Sequence, residues 1–372
     1  MSLVPFVTGP PPSARSERCE ITTLNSLTLA QLGWDDSFRI EASKFSSSFL
    51  PGRVAAEHRG RITLWSPQGT FDAPVHRDDP DPPRAGDWVL YEPQTSGDLV
   101  RLRALLPRRS ALTRKAVGRV AEAQVVVANV DVVFVTTSCN QDLNPRRIER
   151  YLALTRGGGA SPVLLLTKTD LAPADVGRAR RVLDAVAGDA PVIAASALWR
   201  DGLDEIRSHL APGRTAAFVG SSGVGKSTIL NQLMGADVQA ALPIREHDQR
   251  GVHTTTTRSL HLLPNDQGLL LDTPGMRELG LHSGDGLDGL FDDIDALAAR
   301  CRFRDCQHEG EPGCAVQEAI EEGQLDPERL MSHNKLAREA LWQESRTNVR
   351  LRQEIQQEWA RRTRSARTRT RR

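Results

Sequence analysis

The spacing of apolar and polar positions changes character several times along this chain. Residues 1–33 carry Pro, Ser and Thr with little periodicity, the pattern of a flexible arm. Between Arg39 and Pro107 short apolar or alternating runs are broken by turn signals. The runs are Phe38-Arg39-Ile40-Glu41, Gly52-Arg53-Val54-Ala55, Arg61-Ile62-Thr63-Leu64-Trp65, Asp87-Trp88-Val89-Leu90-Tyr91 and Leu99-Val100-Arg101-Leu102. Pro67-Gln68-Gly69, Gly86 and the rigid polar stretch from Asp78 to Pro83 punctuate them. Such a density of short strands predicts a small β-barrel of the OB type.

From Gln124 the runs become continuous and β-branched, as in strands buried on both faces. Gln124 to Ala128, Asp131 to Thr136, Ser161 to Leu166, Pro191 to Ala194 and Thr215 to Val219 read as strands. Pro145 to Arg156, Pro173 to Ala187, Asp204 to Leu210 and a segment opening at Ser227 read as helices. Strand and helix alternate, which predicts an α/β unit with a mostly parallel sheet. Arg245 to Arg258 is polar and reads as a mobile loop, and Ser259 to Leu263 and Gly268 to Leu271 add two strands. After Phe291 the sheet pattern stops and helical patterns cover Val316 to Glu322 and Pro327 to Glu358. The expected division is an arm (1–34), an OB-like barrel (35–110), an α/β phosphate-loop unit (111–290), a helical unit (291–358) and a basic tail (359–372).

Composition narrows the function classes. The 48 basic and 47 acidic residues leave a net charge of +1, so any nucleic-acid contact must come from local patches. Arg53, Arg59, Arg61, Arg101 and Arg103 accompany Trp65, Trp88 and Tyr91 in the barrel region. They fit either an RNA-binding face or a core of aromatics under a solvated arginine face. Arg108-Arg109, Arg114-Lys115 and Arg119 form a basic connector, and Ala360 to Arg372 holds seven arginines and no acid, a tail that would follow phosphates. No apolar run reaches the roughly 18 residues of a membrane span, and the N-terminus lacks the apolar core of a signal peptide. A cytoplasmic protein without membrane contact, and a monomer, are expected.

The chemistry centres on Gly220-Ser221-Ser222-Gly223-Val224-Gly225-Lys226-Ser227-Thr228, the pattern G-x-x-x-x-G-K-S between a strand and a helix. Glycines let backbone N–H groups close on phosphates, and the helix N-terminus adds partial positive charge. Lys226 is placed to reach the β/γ-phosphates, and the Ser227 hydroxyl to hold Mg²⁺. Asp272-Thr273-Pro274-Gly275 follows a strand, as the Mg²⁺-side motif should, with Asp272 on the metal and Gly275 sensing the γ-phosphate. Thr167-Lys168-Thr169-Asp170 is a variant of the guanine-reading [N/T]-K-x-D pattern, in which Asp170 accepts from the base N1 and N2 hydrogens. Ser196 and Ala197, in Ala195-Ser196-Ala197, suit contact with the base oxygen. The readers precede the phosphate loop, the reverse of the ordinary GTPase order, so the domain is circularly permuted or the readers are accidental. Permutation costs little where domain termini lie close together.

Cys301-x4-Cys306-x-His308-x5-Cys314 supplies three sulfurs and an imidazole, a complete tetrahedral set for one structural Zn²⁺. Of the five cysteines, these three crowd into one stretch, while Cys19 and Cys139 stand apart.

The barrel, T-K-T-D, A-S-A, G-S-S-G-V-G-K-S-T, H-T-T-T-T, D-T-P-G and the Cys/His cluster, in that order, closely resemble the bacterial small-ribosomal-subunit-dependent GTPase family (RsgA, also called YjeQ). The resemblance covers roughly residues 35–335. It implies a permuted GTPase acting late in maturation of the small subunit and binding its rRNA. Turnover is expected to be slow alone and stimulated by that subunit. Thr167, where many members have Asn, implies somewhat weaker guanine affinity.

Met276 occupies the position where Ras-like enzymes carry a water-orienting Gln. His253 is the best replacement, because a neutral imidazole accepts from an attacking water; a surface loop histidine is the plainer alternative. Thr255 is favoured as the switch threonine on Mg²⁺, with Thr254 and Thr256 also fitting. Two rival readings are a zinc-dependent RNA-binding scaffold with a structural nucleotide and a phosphate-loop ATPase.

Overall fold

The computed structural model describes residues 27–76, 79–93, 99–115, 123–139, 143–221, 223–235, 258–272, 287 and 290–347. The barrel strands are β1 (Leu50–His58), β2 (Arg61–Ser66), β3 (Gly69–Pro74), β4 (Trp88–Glu92) and β5 (Arg101–Leu105). β2 and β4 flank β1, β3 pairs with β2, and β5 pairs with β4, all antiparallel. A bridge between Asp72 and Leu99, with Val100 N–H donating to Asp72 O at 2.9 Å, joins the β3 and β5 sides. The strand order 1-2-3-5-4-1 that results is that of a small closed barrel, filled by Val54, Ile62, Leu64, Ala73, Val89, Tyr91 and Val100.

One barrel-region expectation is corrected, and a reading left open is resolved in part. Phe38 to Glu41 lies in a helix, α1 (Asp36–Ala42), not a strand. Asp35 accepts from the Ser37 and Phe38 N–H groups and caps it, and Phe38 is buried while Ile40 is 60% exposed, so no alternating face is formed. The aromatic and basic residues divide unevenly between core and surface. Trp88, Tyr91 and Arg53 are buried, whereas Arg59 and Arg101 face solvent. The Arg53 guanidinium donates to the carbonyls of Leu32, Gly86 (3.3 Å) and Asn129 (2.9 Å) and lies 5.5 Å from the Trp88 ring centroid. It ties the barrel to the unit that follows. Arg108 and Arg109 are likewise committed, Arg108 to Asp81 and Asp87, and Arg109 to Asp35 and the face of Phe38.

Gly86 sits at φ +90°, and a side chain there would put its Cβ 2.1 Å from Ala128 O. Only glycine allows the barrel to approach β7 (Ala123–Ala128) so closely. β7 pairs with β6 (Ala111–Lys115) in a separate ribbon.

The α/β unit continues with β8 (Val132–Ser138), α2 (Pro145–Gly157), β9 (Ser161–Thr167), α3 (Val176–Ala187), β10 (Val192–Ala194), α4 (Leu203–Ser208), β11 (Thr215–Val219), α5 (Lys226–Met234), β12 (Ser259–Leu262) and β13 (Leu269–Asp272). The sheet order is β10-β9-β8-β11-β13-β12, parallel from β10 to β13 and antiparallel at β12. All seven residues of β8 are buried, as expected of a strand covered on both faces. From β8 the chain moves outward through β9 and β10, then returns to β11 and proceeds the other way. The reversal between β8 and β11 is a topological switch point, where such sheets bind ligands beyond their strand C-termini. β12 also pairs with β1, through Ala56 and Ser259, so barrel and α/β unit share one continuous sheet.

The last unit contains α6 (Asp292–Ala298), α7 (Ala315–Glu321) and α8 (Pro327–Thr347). It docks on α2 through ion pairs. Arg329 Nη1 donates to the buried Glu149 at 2.8 Å, and its other nitrogens donate to Asp293 and to Leu290 O. Arg146 shares Glu149 Oε1, and Arg150 makes two bonds to Glu339 at 2.6 and 2.9 Å. Arg329→Met leaves the buried Glu149 with Arg146 but removes its second cation and charged hydrogen bond, and should cost ~2 kcal/mol of stability, read by chemical denaturation. Burial pushes the Asp293 carboxyl up, but the Arg329 hydrogen bonds and charge hold it below its ordinary range. A folded-state carboxyl that binds its proton less tightly than in the unfolded chain adds stability above the unfolded value of about 3.9. That share is lost as pH falls below it, and Arg329→Met should flatten this acid limb.

Candidate nucleotide site and metal centre

Local sequence builds the phosphate loop. Gly220, Gly223 and Gly225 all have positive φ, at +145°, +78° and +102°. A Cβ on Gly220 would lie 2.2 Å from Thr136 O, so the loop can leave β11 only over a bare Cα. A Cβ added at Gly223 would meet nothing within 4 Å. Val224 is buried and anchors the turn. α5 begins at Lys226 without a side-chain cap, so its first N–H groups remain directed at the loop's concavity. Lys226 Nζ donates to Gly220 O at 2.8 Å and Ser221 O at 2.6 Å, which holds the ammonium across the loop. Ser227 and Thr228 are exposed on the first turn of α5, and Asp272 is half-buried at the end of β13.

The guanine-reader segments lie at the ends of neighbouring strands. Thr167 closes β9, and its single hydroxyl proton is within reach of both Thr137 O, at 3.0 Å, and Val224 O. The threonine therefore ties the base-side loop to the phosphate loop, one of the jobs expected of an asparagine there. Lys168 adopts φ +59°, and its Cε lies 3.9 Å from where a Cβ on Gly225 would stand, so its stem runs along the phosphate loop. Thr169 is buried. Beyond β10, the Ser196 hydroxyl donates to Asp170 Oδ1 at 2.6 Å and accepts from Trp199 N–H at 3.0 Å. These bonds set the direction of the Asp170 carboxylate. Ala197 follows, partly buried. Ser222, His253, Thr255 and Gly275 lie outside the described residues.

Some contacts were not readable from the residue pattern. The carbonyls of Gly220, Ser221 and Val224 and the Trp199 N–H are backbone groups, so no residue identity announces them.

The four putting-together residues of the metal centre, Cys301, Cys306, His308 and Cys314, place their ligand atoms within 4.8 Å of one another. Cys301 Sγ is 3.9 Å from Cys314 Sγ and 3.7 Å from His308 Nδ1, which is 3.4 Å from Cys314 Sγ. A covalent S–S bond measures about 2.05 Å, so this is not a disulfide. With Zn–S about 2.3 Å and Zn–N about 2.0 Å, a tetrahedron has edges of roughly 3.5–3.8 Å, which these separations match. Desolvation, with hydrogen bonds to the neighbouring Cys314 and Cys301 sulfurs, raises the Cys306 thiol, and a divalent cation among the sulfurs would favour their thiolate forms. Cys314 caps α7, accepting from Gln317 N–H at 3.5 Å, while the Gln317 amide donates back to His308 O. The spacing C-x-x-Q is the readable trace of this second support, being that of a capping box.

Comparison with known proteins accords with this geometry. A family model described as RsgA GTPase matches residues 105–282. A protein of Opitutus terrae named small ribosomal subunit biogenesis GTPase RsgA is 42% identical over 351 residues, covering 90% of this chain and 95% of that protein. One of the same name from Methanosarcina acetivorans is 41% identical over 325 residues, covering 86% and 87%. The crystal structure of YjeQ from Thermotoga maritima superposes with a TM-score of 0.58 at 25% identity, covering 79% of this chain and 99% of that one. That of YloQ, described as a circularly permuted GTPase, gives 0.54 at 23%, covering 79% and 96%, and supports the fold. On the strength of relatives above 40% identity that are covered almost end to end, this chain belongs to the RsgA GTPase family.

Proposed function

We propose that this protein is a GTP-hydrolysing factor that works on the small ribosomal subunit late in its assembly, binding the subunit's rRNA in the cytoplasm as a monomer. The observation that carries the reading is the convergence of T-K-T-D, A-S-A, the phosphate loop and Asp272 on the C-terminal ends of β9, β10, β11 and β13. The barrel (35–110), the GTPase unit (111–290) and the zinc-bearing unit (291–358) divide the work.

In this mechanism the phosphate-loop N–H groups from Gly220 to Thr228 and the Lys226 ammonium bind the β- and γ-phosphates. Asp170 accepts from the guanine N1 and N2 hydrogens, positioned by Ser196, while Ala197 N–H faces the base oxygen. Ser227, Thr255 and Asp272 offer hard oxygen donors suited to Mg²⁺. Mg²⁺ held there with GTP would supply neutralisation of phosphate charge. His253 accepts a hydrogen bond from the attacking water and holds it in line, and Gly275 N–H senses the γ-phosphate. The subunit orders these groups, and hydrolysis relaxes them and releases the protein. Cys301, Cys306, His308 and Cys314 hold one structural zinc.

The test is GTP hydrolysis by the purified protein alone and with small or large subunits, ATP serving as control. Strong stimulation by small subunits only is expected, and Asp170→Asn should shift preference from guanine toward xanthine nucleotides. Equal rates with and without small subunits, despite tight GTP binding, would overturn the ribosomal mechanism.

A further inference from the structure

We propose that the loop between the first two metal ligands, Arg302 to Asp305, is a stacking platform for an unpaired RNA base. The proposal rests on the ribosomal reading and names one surface through which RNA is gripped. Phe303 is 44% exposed, on a short turn between two members of the Cys/His cluster. Cys301 and Cys306 pin the loop at both ends in the metal centre. Between them, Arg302 N–H donates to Gly313 O at 3.0 Å and Cys306 N–H to Phe303 O at 3.4 Å.

The arginine beside the ring is pre-set as well. Its guanidinium carbon lies 5.6 Å from the Phe303 centroid, within cation–π range. Its stem packs on Gly313, where an added Cβ would meet Arg302 Cβ at 3.1 Å and Cδ at 3.4 Å. An exposed aromatic with a guanidinium already against it, on a loop tied by these bonds, loses little entropy when a base joins the stack.

Charge on the loop points the same way without dominating. Arg300, Arg302 and Arg304 are exposed, and none forms an ion pair among the described residues. Glu311 turns inward, its carboxylate accepting from Gln307 N–H at 2.9 Å and Glu309 N–H at 2.8 Å. Asp305 and Glu309 remain exposed, so a bare polyanion finds a mixed field here. An unpaired nucleotide fits better, its base on Phe303 and its phosphate on Arg304 or Arg300.

The test compares the full chain with Phe303→Ala, Phe303→Leu, Phe303→Trp and Arg304→Gln. Metal content and thermal midpoint serve as checks on folding. Anisotropy of a labelled short single-stranded RNA, and of the corresponding duplex, is followed across a salt series. Co-sedimentation with purified small subunits runs in parallel. Phe303→Ala and Phe303→Leu should weaken single-strand binding about tenfold without changing the salt slope, and Phe303→Trp should restore it. Arg304→Gln should lower the slope by about 0.7. Leucine keeps the apolar contact of the loop but not the ring face, which separates stacking from folding. Single-strand binding unchanged in Phe303→Leu overturns the proposal. So does a loss confined to small subunits, which would mark a protein-binding face. Failure of small subunits to stimulate the parent, with single-strand binding still dependent on Phe303, would sink the ribosomal reading and leave this surface standing.

Discussion

Lys226→Ala should lower GTP hydrolysis by about 10²–10³-fold, the loss typical of removing one fixed donor from developing transition-state charge. The expectation follows from where the ammonium is held. Its bonds to Gly220 O and Ser221 O pin it at the mouth of the loop, on the first residue of α5. Phosphate oxygens arriving there meet a cation already in place, and charge that migrates during P–O cleavage is stabilised without reorganisation. The rest of the loop is shaped by glycine, so the variant should keep its fold. Alanine favours helix at position 226, and Gly220 still makes its close pass against Thr136 O. The measurements are single-turnover hydrolysis of GTP, binding of a fluorescent guanine nucleotide and a thermal melt. An unchanged melt with hydrolysis near the parent rate would remove Lys226 from the mechanism.

Stripping metal from the Cys₃His centre should unfold the region around it and lower overall stability by several kcal/mol. Zinc binding in comparable small sites is worth about 10–16 kcal/mol of apparent folding energy at neutral pH. The reason is local. The segment between Cys301 and Cys314 contributes few buried apolar side chains, whereas α7 starts directly after Cys314 and takes its cap from that same sulfur. Chelation, or Cys314→Ser, should therefore remove the ligand and unseat the start of the helix together. Metal analysis and far-UV circular dichroism during a chelator titration would read this, with cooperative loss of helix on metal release as the expected result. Acid should act in the same direction, since thiolate ligands must lose their protons to bind. Metal content that falls with no change in helix or melting midpoint would make the centre dispensable for folding. Nucleotide binding should survive better than helix content, because this unit is held to α2 by ion pairs of Arg146 and Glu149.

The sequence by itself determined what depends on local spacing. The phosphate loop, the reader motifs, Asp272 and the Cys₃His set are short runs whose residue types and intervals carry their chemistry. Their order along the chain was enough to raise the permuted topology. Buried strands such as β8 were legible because continuous apolar runs report burial on both faces.

Tertiary structure decided what depends on partners distant in the chain. Phe38 to Glu41 alternates as a strand would, yet the cap at Asp35 and burial of Phe38 alone make it helical. Arg53, Trp88 and Tyr91 have the composition of an RNA-binding face, but the first completes buried carbonyls and the other two fill core. No short-range signal distinguishes an arginine that meets carbonyls from one that meets water. The pairing of β1 with β12, and the bond from Arg329 to Glu149 across 180 residues, arise only when separate units come together. Burial makes those contacts matter, because a charge or a backbone dipole removed from water must find its partner within the protein.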